Sequence, residues 1–172
     1  MKKNRLYRSL FLTLAFFVIG VRNAFSSRAD QTPQFANIGE GQSSTGCKSY
    51  FPDAALANRF MIVKIGSDQY HCAATAATTD IPLGIAMDSA DAANLDVPIN
   101  IGLLGCMTGT GKVLLGGTVA AGDFLATGAA GTAVIMPTTT GTWYRIGRAL
   151  SAGVSGDVIE FAHEVPGKYI IP

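Results

Sequence analysis

The stretch "IPLGIAMDSADAANLDVPINIGLLG", residues 81–105, decides the fold class. It contains two short apolar runs, PLGIAM at 82–87 and VPINIGLL at 97–104, separated by small residues and aspartates. Apolar runs of this length, bounded by turn-forming residues, are typical of β-strands that a turn connects. Almost no side chain in this stretch could perform catalysis. The chemistry therefore lies elsewhere in the chain, or the protein acts through its surface.

The rest of the chain after residue 50 repeats this pattern. Seven further runs have strand length, and glycine-rich turns such as Gly66-Ser67-Asp68 separate them. Strands spaced by about eight to twelve residues predict a mainly β fold, a small barrel or sandwich of short antiparallel strands. In the last run, alternation places Ile159 and Phe161 on the core side with His163. AALANRF (54–60) is either one helical turn or a loop. The seven runs are FMIVKIG (60–66), QYHCAA (69–74), KVLL (112–115), DFLAT (123–127), TAVIM (132–136), TWYRIGRAL (142–150) and DVIEFAH (157–163).

Composition and charge narrow the function classes. Charged residues make up 15% of the chain and apolar residues 48%, whereas an average globular protein has about 25% charged residues. Residues 1–30 carry a net charge of +5 and residues 31–172 a net charge of −4. The low charge predicts extensive contact with other protein. No basic stripe with interleaved aromatic residues follows residue 30, which argues against direct nucleic acid binding.

The first thirty residues allow two interpretations. They combine a basic start with an apolar run from Leu10 to Val21, followed by small residues. This is the pattern of a secretory signal peptide, and the run is too short to span a bilayer comfortably. It is also the pattern of an extended arm that binds a neighbouring protein. The predicted organisation is an arm or signal peptide (1–30), a polar linker (31–49) and a β domain (50–172).

A search for catalytic motifs yields no site. GCMTGTGKV (105–113) resembles a phosphate-binding loop, but the spacing of its glycines is wrong and Val113 replaces the required hydroxyl residue. A turn between strands is the better interpretation. His71 adjoins Cys72, so on a strand their side chains point to opposite faces, and no nucleophile motif surrounds His163.

A metal or cofactor site is also not expected. Asp88, Asp91 and Asp96 do not follow the order of ligands in a calcium-binding loop, and turn formation explains them. Three cysteines without close spacing favour neither a disulfide framework nor a zinc site and are interpreted as small buried apolar residues. The sequence therefore predicts no catalytic, metal or cofactor-binding residues, and a protein that is not an enzyme.

A weak internal echo links two parts of the chain. PLGIAM with DVPINI (82–101) and YRIGRAL with GDVIEF (144–161) each place a glycine-containing strand, a turn of small residues with aspartate, and a Val/Ile strand in the same order. Duplicated hairpins are one explanation. The general pattern of small β proteins is the other.

Three segments in order resemble one known family. PLGIAMDSADAANLDVPINIGLLG (82–105), VAAGDFLATGAAGTAVI (119–135) and YRIGRALSAGVSGDVIEF (144–161) resemble the capsid decoration, or cement, proteins of tailed phages. The similarity extends over residues 56–165. The basic arm with its apolar run departs from this family, whose simpler members begin close to the β domain, and it leaves the mode of anchoring open.

The resemblance implies a virion protein on the outer capsid surface. It implies binding to the major capsid protein and stabilisation of the DNA-filled head by non-covalent contacts, with no cofactor. It also implies a homo-oligomer, often a trimer, without direct nucleic acid contact and without a membrane in the mature particle. On this interpretation the arm contacts the capsid through Arg5, Arg8, Leu10, Phe11, Leu12, Leu14, Phe16, Phe17, Val18 and Ile19.

The alternative is a bacterial protein that is secreted or periplasmic. It would be an adhesin-like or fibre-like β protein from which residues 1–29 are cleaved as a signal peptide. The state of the N-terminus discriminates between the two hypotheses, because an intact arm favours the virion protein and a start near Ser27 or Asp30 favours export.

Overall fold

A computed structural model describes residues 46–172. They form ten β-strands and one short 3-10 turn at Ala129–Gly131, with no α-helix in this part of the chain. None of its elements is a helix suited by length and apolar character to cross a membrane. The strands are β1 (Cys47–Pro52), β2 (Ile62–Ile65), β3 (His71–Ala74), β4 (Gly84–Ala86), β5 (Ile99–Leu103), β6 (Gly111–Leu114), β7 (Phe124–Thr127), β8 (Ala133–Ile135), β9 (Gly141–Ala149) and β10 (Val158–Ile171).

The first five strands form a closed barrel, called here the first barrel. Its strand order is β1-β3-β2-β4-β5, and β5 pairs with β1 to close it. All of its pairings are antiparallel except the one between β1 and β3, which is parallel. The mainly β fold predicted from the sequence is confirmed.

The last five strands form a second sheet in the order β6-β10-β9-β7-β8. Leu115, directly after β6, makes an isolated parallel bridge to Ala133 in β8, and the Gly116 N–H donates to the Ala133 carbonyl at 2.8 Å. This bridge joins the two edges of the sheet, which is therefore nearly closed. It is called the second barrel.

The two barrels are topological copies of each other. Each has a first strand antiparallel to its fifth and parallel to its third, and a second strand between the third and the fourth. Leu56 and Ala90 exchange two backbone hydrogen bonds of 2.8 and 3.0 Å in the first barrel, and Val119 and Gly153 exchange two of 2.9 and 3.1 Å in the second. The two segments of the sequence echo therefore fall on equivalent strands, the fourth and fifth of each barrel.

A shared core joins the barrels. One cluster of buried residues contains Ile62, Ile85 and Leu104 from the first barrel together with residues such as Leu125 and Phe161 from the second. The Thr75 hydroxyl, fully buried, donates to the Gly128 carbonyl at 3.2 Å, and the Gly131 N–H donates to the Thr75 carbonyl at 2.8 Å. Burial of this apolar surface is the main stabilising contribution.

The sequence located most of the strands. Each of the nine predicted runs overlaps a strand, and both residues expected in the core, Ile159 and Phe161, are buried. The segment 54–60 is a loop, not a helical turn. The first strand begins at Cys47, inside the segment predicted as linker, because residues 47–50 pair with β5. The last strand continues to Ile171, well past His163.

Candidate interaction surface

The predicted capsid-contact residues lie outside residues 46–172. They are Arg5, Arg8, Leu10, Phe11, Leu12, Leu14, Phe16, Phe17, Val18 and Ile19. Any functional surface that can be built from geometry must therefore come from the two barrels.

His71 is held by an acidic neighbour and not by a nucleophile. Its Nδ1 lies 2.7 Å from Asp68 Oδ1, and this hydrogen bond, with one from the Tyr70 N–H, lowers the pKa of the Asp68 carboxyl. Cys72 is fully buried on the other face of the strand, where burial and then the charge of Asp53 raise the pKa of its thiol to about 12. The pair cannot act as a thiolate–imidazole couple.

His163 and the glycine-rich loop have structural roles. The Gly105 N–H donates to His163 Nδ1 at 3.2 Å, which ties the connection between the barrels to β10. Gly105 and Gly109 adopt φ values of +79° and +82°, and β6 begins at Gly111. The segment GCMTGTGKV is therefore a turn that leads into a strand, as predicted.

The carboxylates do not assemble a metal site. No group of three or more His, Cys, Asp or Glu side chains is close enough to hold a metal ion within residues 46–172. Asp80, Asp123 and Asp157 accept hydrogen bonds from backbone N–H groups three or four residues away, as expected of turn-forming aspartates. Of the cysteines, only Cys72 is buried as the sequence suggested, while Cys106 is exposed and Cys47 is intermediate.

The most distinctive surface feature is a two-stranded extension of the second barrel. The strand β10 pairs with β6 only as far as Phe161, and β9 pairs with β7 only as far as Arg145. Beyond these points the two strands continue together, pairing Gly167–Ile171 with Gly141–Arg145. Residues 141–145 and 163–171 are called the ribbon. A register shift between His163 and Gly167 accommodates Pro166.

One face of the ribbon carries stacked arginine and aromatic side chains. The Arg145 guanidinium lies over the rings of Phe124 and Tyr169, 4.8 and 4.7 Å from their centroids, and the Arg148 guanidinium lies 4.4 Å from the Phe124 centroid. Arg145 also forms an ion pair of 2.8 Å with Glu164. Phe124, Trp143, Arg145, Arg148 and Tyr169 are called the arginine–aromatic cluster.

The composition of this cluster is that of a protein interface. Trp, Tyr and Arg are the residue types most enriched at the energetic centres of interfaces. The Nε1 of Trp143 and the Nε of Arg145 are buried donors without a hydrogen-bond partner in residues 46–172. The rings of Phe124 and Tyr169 in the cluster are 36% and 37% exposed, and Val165 and Ile170 elsewhere on the ribbon are 72% and 69% exposed. Such exposed apolar side chains beside the exposed Arg148 mark a surface suited to a partner.

A second feature is a cleft of about 380 Å³ near the junction of the barrels. Phe60 lines it with a left-handed backbone, φ +65°, and the cationic groups of Arg59 and Lys112 lie 5.1 and 5.8 Å from its ring centroid. The ring also packs against the shared core. Because this packing explains Phe60, the cleft is a weaker candidate than the arginine–aromatic cluster.

Sequence reasoning missed the cluster. The run TWYRIGR places Trp143 and Arg145 on the same face of a strand, and it contains the single tryptophan of the chain. That combination was a usable signal for an interface. The contributions of Phe124 and Tyr169 were not visible, since they depend on strand pairing.

The architecture as a whole matches proteins of known structure, although no family model and no curated protein sequence matches the chain. The class of fold is the one found in a phage head appendage. One similar structure is the N base of the head fibre protein gp8.5 of bacteriophage phi29, with 20% sequence identity and a TM-score of 0.53. The similarity covers 70% of this chain and 94% of that chain.

Proposed function

We propose that this chain is a structural protein of a tailed-phage virion that lies on the outer face of the head and binds the major capsid protein. The observation that carries the proposal is the likeness of its fold to the base of a phage head fibre, over 94% of that chain. The resemblance of three sequence segments to capsid decoration proteins supports the same class of particle.

Adhesion without turnover is the activity that this surface supports best. The arginine–aromatic cluster and the exposed apolar side chains of the ribbon are features of protein contact. Many copies on one shell multiply modest contacts, because copies that bridge neighbouring capsid subunits act together. In this proposal the protein stabilises the DNA-filled head non-covalently, as a homo-oligomer, with no cofactor and no chemical step.

The N-terminal arm is proposed to strengthen attachment. Its basic residues complement acidic capsid patches, and its apolar run supplies anchors for a groove or a sheet edge. Removal of residues 2–30 should then greatly weaken binding to purified heads that lack the protein. Undiminished binding of the truncated chain would remove the arm from the mechanism.

The proposal is tested on purified virions. Mass spectrometry of intact particles should detect the chain in many copies, and antibodies against the β domain should label intact heads. A phage enzyme absent from virions serves as the negative control. Failure to find the chain in particles would contradict the proposal, and a mature N-terminus near Ser27 or Asp30 in cell envelopes would favour an exported protein instead.

A further inference from the structure

The ribbon is not needed to close a barrel of this kind. In the first barrel, β5 ends at Leu103, and the chain turns away at Gly105 with φ +79°. The equivalent strand β10 completes its pairing with β6 by Phe161 and then continues for ten further residues to Ile171. A two-stranded ribbon is at best marginally stable in water on its own. The extension therefore offers a surface for a contact outside the barrel.

The arginine–aromatic cluster indicates what that contact must supply. Arg148 is exposed and makes no ion pair within residues 46–172, and the rings of Phe124 and Tyr169 are 36% and 37% exposed. A partner with carboxylate oxygens and a small apolar side chain would pair with Arg148 and cover the exposed parts of the Phe124 and Tyr169 rings.

This chain carries such a surface on its first barrel. The loop at residues 87–98, called the acidic loop, contains Asp88, Asp91 and Asp96, none of which has a side-chain hydrogen bond or ion pair with another part of residues 46–172. Val97, in the same loop, is 52% exposed.

The charge distributions of the two barrels also fit a contact between the acidic loop and the arginine–aromatic cluster. Residues 46–105 contain three basic and six acidic side chains, while residues 106–172 contain four of each. The first barrel is therefore anionic overall, and the second presents its arginines locally on the ribbon. No hydrogen bond or ion pair joins the acidic loop to the ribbon within one chain across residues 46–172. A second copy of the chain offers the complementary surface.

We propose that the acidic loop of one copy docks on the arginine–aromatic cluster of the next copy. The two surfaces differ, so the contact is head-to-tail, and repeating it generates a closed ring when the rotation between copies permits. This inference rests on the proposed role as a repeated virion protein and identifies the surfaces through which its copies associate.

Charge reversal tests the proposal on the full chain. Arg148→Glu and Asp91→Lys should each weaken self-association by roughly 100-fold, because each places like charges opposite one another. The doubly substituted chain, which swaps the two charges, should recover most of it. An equimolar mixture of the two single variants should also form mixed complexes. Sedimentation equilibrium measures all four, and circular dichroism verifies that each variant is folded.

Lys168→Glu is the matched control. Lys168 pairs with Tyr144, whereas Tyr169 pairs with Trp143, so Lys168 lies on the opposite face of the same ribbon. Its charge reversal should leave self-association within about twofold of the native value.

Three results would overturn the inference. They are a native chain that stays monomeric, single variants that associate like the native chain, and a double variant that remains as weak as either single one. Head binding is measured separately for the same proteins. A variant that binds heads normally although the charge swap fails would reject only this contact, whereas absence of the native chain from virions would reject the proposed function.

Discussion

At the scale of single residues, two equivalent positions in the barrels share a left-handed backbone conformation. Phe60 and Gly122 stand at equivalent places, since each donates its N–H to the last residue of the neighbouring strand, Ala86 or Ala149, and each has a positive φ. A left-handed conformation costs an L-residue roughly 1–2 kcal/mol. Phe60 offsets this cost through its packing on the shared core and its contacts with two cations.

Gly122 allows that backbone cost to be measured without a steric clash. Its φ is +94°, and a Cβ built on it meets nothing within 4 Å. Gly122→Ala should therefore lower the free energy of unfolding by about 1 kcal/mol. Gly117→Ala is the control, because Gly117 has equal space around it and no positive φ, and it should be neutral or slightly stabilising. Equal effects of the two substitutions in urea unfolding would contradict the prediction.

Asp80 should make stability depend on pH. Partial burial raises the pKa of the Asp80 carboxyl. The hydrogen bonds from Lys64, 2.9 Å away, and from the N–H groups of Ala76 and Ala77 outweigh this effect, so the pKa is lowered. A lowered folded-state pKa gives stability that is present above the ordinary carboxyl pKa and is lost as the pH falls through the folded value. Asp80→Asn should cost about 1 kcal/mol at neutral pH and much less in acid.

Asp91→Asn is the comparison for Asp80. Asp91 is exposed, and its carboxyl has no partner in residues 46–172, so in dilute, dissociated protein the substitution should change the unfolding free energy by less than about 0.5 kcal/mol. Urea unfolding of the three proteins across the acid range measures the difference. A cost of Asp80→Asn that stays constant into strong acid would contradict the assigned role.

At the scale of elements, the sequence indicates strands well and their extent poorly. Apolar runs between glycine turns located nine of the ten strands in residues 46–172, because the side chains that a strand buries appear as a local pattern of apolar residues in the sequence. The strand β1 was missed, since Lys48 and Ser49 make it resemble the preceding polar segment. The end of β10 was missed because Pro166 and Gly167 normally end a strand, and here a register shift tolerates them.

The C-terminal end of the ribbon, residues 166–172, should be dispensable for folding. A chain that ends at Val165 loses residues that are exposed or only half-buried, while β10 keeps its pairing with β6 and its buried residue Phe161. We expect a single cooperative thermal transition and a loss of roughly 1–2 kcal/mol. Phe161→Ala, by contrast, should cost about 3–5 kcal/mol because it opens a cavity in the core. A shortened chain without a cooperative thermal transition would show that residues 166–172 are part of the folding unit.

At the scale of the described residues 46–172, two barrels of the same topology form a single unit because they share a core. The sequence could show the class of fold and an echo between 82–101 and 144–161, but the order of strands depends on contacts between distant residues, such as the parallel pairing of β1 with β3. The sequence could not predict the candidate surface for the same reason. Phe124 and Arg145 are 21 positions apart and meet only because β7 pairs with β9.

The shared core predicts that the two barrels unfold together. Ile62, fully buried, belongs to the first barrel but packs in the cluster that contains Leu125, Ile146 and Phe161 of the second. Ile62→Ala should lower the free energy of unfolding by about 2–5 kcal/mol. Hydrogen exchange of two equivalent amides, Ala86 and Ala149, reads the two barrels separately, since each donates a backbone hydrogen bond inside its own barrel. In a single cooperative unit the protection of both amides falls by the same free energy, whereas a fall at Ala86 alone would mean that the barrels are independent domains.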